Sequence, residues 1–126
     1  MAQNKQVHYK TGKVHSFIAD ATDELLISDG PAWVTGVTVF SLDATPVYVK
    51  LYNKATAPAE TDTPVYRIGV PANAIAANGS GSNIVIDDPL FCSAGLGVRV
   101  VTGIADNSDS AVTASEVLVN IHYTEA

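Results

Sequence analysis

VYVKLYN, residues 47–53, alternates without a break: Val47, Val49 and Leu51 point one way, Tyr48, Lys50 and Tyr52 the other. A period of two with one apolar face is the pattern of a half-buried strand, and it recurs on both sides of this segment. VLVNIHY (117–123) sets Val117, Val119, Ile121 and Tyr123 against Leu118, Asn120 and His122. WVTGVTVF (33–40) sets Val34, Gly36, Thr38 and Phe40 against Trp33, Thr35, Val37 and Val39. β-branched Val, Ile and Thr dominate these runs, as a pleated sheet favours. A helical spacing of apolar residues is missing, apart from a turn or so near residues 71–77.

Reading outward, about eight strands are expected: 14–20, 24–28, 32–42, 46–53, 63–70, 83–87, 97–103 and 115–123, with residues 6–10 extending or preceding the first. Turn-forming clusters separate them: SDGP (28–31), DATP (43–46), NGSGSN (78–83), SAGLG (93–97) and DNSDS (106–110). Many short strands at this spacing mean an all-β antiparallel sandwich of two sheets, and eight strands suit a jelly roll. An immunoglobulin-like sandwich is the runner-up, but its Cys–Trp–Cys core is missing. The expected core comprises Val34, Phe40, Val49, Leu51, Ile68, Val98, Val100, Val119 and Ile121.

The 126 residues allow one domain with a core of useful size. Only 16% of residues are charged and the net charge is −6, an unfavourable balance for a partner built of phosphates. The charge is unevenly placed. Residues 1–13 hold Lys5, Lys10 and Lys13 and no acid, +3, while residues 14–126 carry four cations against 13 acids, −9. The division expected is therefore a basic arm, 1–13, and a single sandwich domain, 14–126. The arm is expected to leave its own sandwich and set its lysines against a neighbour's carboxylates, with residues 6–10 pairing to a strand edge. No secretory leader and no membrane-spanning run is read from the sequence.

Chemistry-bearing patterns are scarce. Cys92 is single and flanked by small and apolar residues, which reads as a buried, inert thiol. His8, His15 and His122 have no zinc-ligand spacing, and no GxSxG elbow accompanies the Ser, His and Asp residues. NGSGSN lacks the Lys-Ser/Thr of a phosphate loop, and DNSDS lacks the Gly and distal Glu of a calcium loop. Asp87 and Asp88 are neighbours in an extended run and so point apart. Trp33 reads as a half-buried packing residue in preference to a sugar platform. No enzyme activity and no cofactor are expected.

KATAPAETDT (54–63) is longer than a hairpin needs and is stiffened by Pro58 and Pro64, which reads as a contact element. Read with the flanking strands, YVKLYNKATAPAETDTPVYRIGVPA (48–72) and GPAWVTGVTVFSLDATPVYVK (30–50) resemble a recurrent block in small virion proteins of tailed bacteriophages and prophages. The likeness is strong from Gly30 to Ala72 and looser through NIVIDDPLFCSAGLGVRVVTGIADNS (83–108) to the last strand. It implies a β-sandwich structural protein, foremost a capsid decoration (cement) protein on the capsid surface of the virion, made in the host bacterial cytoplasm. Its partners would be the major capsid protein and copies of itself, a trimer first, with no nucleic acid or membrane involved. The contact residues implied are Lys5, Lys10, Lys13, Lys54, Thr56, Pro58 and Thr61. The alternative is a carbohydrate- or receptor-binding sandwich module of a phage tail or fibre.

Overall fold

The computed structural model describes residues 12–20, 23–73 and 78–126. Eight strands follow one another: β1 (Lys13–Ala19), β2 (Asp23–Ser28), β3 (Ala32–Ser41), β4 (Val47–Asn53), β5 (Tyr66–Val70), β6 (Ser80–Cys92), β7 (Leu96–Val101) and β8 (Val117–Glu125). They form two antiparallel sheets of four, ordered β1-β8-β3-β6 and β2-β7-β4-β5. No helix occurs among the described residues. The expected extension at 6–10 and part of the turn near 71–77 lie outside them.

The order has a simple rule. β4 pairs with β5, β3 with β6, β2 with β7 and β1 with β8, so the chain is one long hairpin rolled up on itself. That nesting makes the sandwich a jelly roll.

The two inner faces meet as an apolar layer. Val34, Val37, Val39, Val119 and Ile121 on one sheet pack with Val49, Leu51, Ile68, Val98 and Val100 on the other. Each of these side chains stabilises the fold by roughly 1.5–3 kcal/mol relative to exposure. Cys92 is fully buried, and burial pushes its thiol pKa up.

Phe40 is a correction. It was expected inside, yet it is 46% exposed, while Val37 and Val39 are buried. The cause is a bulge at Thr35. Two steps along β3, Val34 to Gly36, match one step along β8, Tyr123 to His122. One extra residue inverts the phase of the strand. Ala32 and Val34 face the core before the bulge, and Val37, Val39 and Ser41 face it afterwards. Opposite the bulge β6 makes a wider excursion, since Val34 pairs with Leu90 and Gly36 with Val85. Ile86, Asp87, Asp88 and Pro89 fill that gap, and β6 therefore runs far beyond the 83–87 expected.

Asp43 closes one end of the sandwich. Its carboxylate accepts hydrogen bonds from Thr45 N and Oγ1 at 2.9 and 2.8 Å, and from Thr113 N at 2.7 Å. Its carbonyl accepts from Asn73 N at 2.9 Å, so one residue ties three connections together. Burial alone would raise the Asp43 pKa, but the Thr113 and Thr45 donors outweigh it and hold it below 3.8.

Candidate interaction surface

The outward faces of the two sheets are built differently. On the β2-β7-β4-β5 sheet, register places Glu24, Arg99, Lys50 and Arg67 side by side in one row. Three adjacent cations repel one another unless something neutral or acidic lies over them. The β7–β8 connection, residues 102–116, does so. Lys50 Nζ donates to the carbonyls of Gly103 (3.1 Å) and Ala105 (2.5 Å). Arg99 Nη2 donates to Ser108 O at 3.1 Å and to Asp109 Oδ1 at 2.9 Å, and its Nε lies 3.5 Å from Glu24 Oε1. Arg67 grips Asp106 with two bonds of 2.7 Å.

These contacts set the ionisation. Burial, then Arg99, lowers the pKa of Lys50. Burial alone would lower that of Arg99, but the Tyr52 hydroxyl, Glu24 and Asp109 raise it. The bond from Arg67 holds Asp106 below the usual carboxylate range. The acidic residues of DNSDS are thus engaged with arginines. Among the described residues, no three of His, Cys, Asp or Glu converge as a metal site.

The β4–β5 connection covers part of what remains, over β7, while Leu26, Arg67 and Gly69 stay exposed. Its Pro58 is buried over Gly97 of β7, where an added Cβ would come within 2.8 Å of the proline Cδ. Lys54 Nζ and Ala59 N both donate to Asp62 Oδ2, at 2.6 and 2.7 Å, which fixes the loop's own shape. The surface that this long loop lies on is therefore its own sheet. Lys54 and Pro58 are used within the fold, while Thr56 and Thr61 are exposed. Lys13 is the first residue of β1, on the other sheet, and pairs with Glu125 of its own chain at 3.1 Å. Lys5 and Lys10 lie outside the described residues. The contact candidates are thus not gathered into one patch.

On the β1-β8-β3-β6 sheet, register assembles four rows facing outward. The first is Ile18, Leu118, Phe40 and Gly81. The second is Ser16, Asn120, Thr38 and Asn83, with Thr38 Oγ1 donating to Asn83 Oδ1 at 3.0 Å. The third is Val14, His122, Gly36 and Val85, and the fourth holds Thr124, Trp33 and Phe91. Trp33 and Phe91 stack with ring centroids 4.4 Å apart. No Asp, Glu, Lys or Arg stands in any row, but the exposed Asp87 and Asp88 lie in β6 between the third row and the fourth. Ile18 is 61% exposed and Val85 71%. This face was not legible beforehand because alternation gives the sides of a strand but not its neighbours. The Gly at 36 and the Asp-Asp-Pro at 87–89 were the available signs of irregular pairing.

No family model matches this chain, and no curated protein matches it.

Proposed function

We propose that the chain is a structural protein of a tailed-bacteriophage particle: a capsid decoration protein that binds the major capsid protein and stabilises the shell. The observation carrying this reading is the contrast between the two outer faces. One is largely covered by the chain's own loops; the other exposes three adjacent rows of uncharged aliphatic, aromatic and amide side chains, with Asp87 and Asp88 beyond them in β6. Such a surface suits contact with protein. The resemblance of residues 30–72 to small phage virion proteins supports the same reading. The protein would act as a homo-oligomer, with the exposed Thr56 and Thr61 as candidates for contact with the shell.

The test is stoichiometry. Purified particles should contain the chain in hundreds of copies, in fixed ratio to the major capsid protein. Absence from the particle refutes the proposal. The stacked, exposed Trp33–Phe91 pair favours one second reading, a carbohydrate-binding module of a tail or fibre. A few copies per particle, with glycan binding lost in Trp33→Ala, would establish that reading instead.

A further inference from the structure

The geometry points to a second copy of this chain as the occupant of the bare β1-β8-β3-β6 face, the two sheets stacking face to face about a two-fold axis. The inference deepens the reading of the chain as an assembly protein, and rests on it in taking the bare face as a protein contact.

Area is the first argument. Four strands span about 14 Å and the three rows that face one another in this packing span about 14 Å between outermost Cα atoms, so with side-chain margins each copy offers on the order of 500 Å². Two copies together then bury on the order of 1,000 Å², the size that a specific interface should reach.

Charge is the second. The chain carries a net −6. Two copies approaching through most of their surface meet like charge. The first three rows contain none, and the exposed carboxylates Asp87 and Asp88 stand beyond them, between the third row and the fourth. Contact through these three rows is therefore where self-repulsion is least.

The rows themselves are the third. A two-fold axis lying in the interface sets the second row of one copy against the second row of the other. Asn120 and Asn83 stand in that row. A carboxamide both donates and accepts, so it is complementary to another carboxamide. With the axis across the strands, the first row (Ile18, Leu118, Phe40) falls over the third (Val14, Val85), apolar on apolar. Two twisted sheets stack in this way about 10 Å apart, as the two halves of a sandwich do.

Sedimentation of the full 126-residue chain between about 1 and 100 µM tests it. The expected mass is twice 13.2 kDa at the upper concentrations. Leu118→Glu and Val85→Glu each place an unpaired charge inside the contact, and should weaken pairing at least about ten-fold. Val85 is 71% exposed on an edge strand, so its variant folds even if Leu118→Glu does not. Thr56→Glu, on the loop over the other sheet, should leave the mass unchanged. A monomer throughout, a trimer, or a dimer unaffected by the variants overturns the inference. A monomer that still loads particles in hundreds of copies refutes self-pairing alone. A dimer missing from particles refutes the decoration role alone.

Discussion

Pro58 of the β4–β5 connection sits directly on Gly97 of β7, with no room for a methyl group between them. The contact fastens a long loop to the outer face of its own sheet. Gly97→Ala should push the proline ring away and destabilise the protein by about 1–3 kcal/mol, as overpacking does. Urea unfolding measures it. An unchanged midpoint would mean that the loop shifts freely and is not fastened there.

Asp43→Ala should be more damaging than its place in a turn suggests. It strips the Thr45 and Thr113 amides of their acceptor. The cost is about 1.5–3 kcal/mol, the range for hydrogen bonds to a charged acceptor, since Thr45 and Thr113 are exposed and their freed amides can turn to water. The carboxylate also makes stability depend on pH. Its folded pKa is depressed below 3.8. Its contribution is therefore complete above the unfolded-chain value near 4 and is lost as pH falls through the lower folded value. In the alanine variant this part of the acid sensitivity disappears, which thermal melts between about pH 2 and 6 would reveal.

Lys50→Met should loosen the 102–116 connection without dismantling the sandwich. The methionine fills much of the same volume but leaves the Gly103 and Ala105 carbonyls without their donor. Hydrogen exchange at Thr102 and Ser108, whose amides bond within this connection, should accelerate at least about ten-fold while β3 and β8 keep their protection. Unchanged exchange would show that Arg67 and Arg99 hold the connection unaided.

Cys92 should resist a thiol reagent until the protein unfolds. Its side chain is fully buried and its pKa is raised by burial. Labelling at pH 8 should follow the urea unfolding curve; rapid labelling of native protein would contradict the packing around it.

Strand existence and pairing type were legible because period-two alternation is local. Val47–Asn53 and Val117–Tyr123 read correctly for that reason. β3 misled at one point only: strict alternation carried past Thr35 gives Phe40 to the core, and the bulge gives it to the surface. The covered and bare faces were out of reach because each depends on strand order. Arg99, Lys50 and Arg67 are far apart in sequence and become one row only through β7-β4-β5 pairing. The length of KATAPAETDT signalled a surface to lie on, but not whose.

The nested hairpin also governs when this protein can fold. β8 is the last of the eight strands to leave the ribosome, yet it lies between β1 and β3 in the interior of its sheet. Until residues 117–125 emerge, β1 has no partner and half of the sandwich lacks its middle. Folding is thus deferred until β8 has been translated, and then proceeds largely through distant contacts, on the millisecond-to-second scale typical of β-sandwiches. A nascent chain stalled before Val117 would remain unpaired and protease-sensitive, and would need shielding from its neighbours on the polysome.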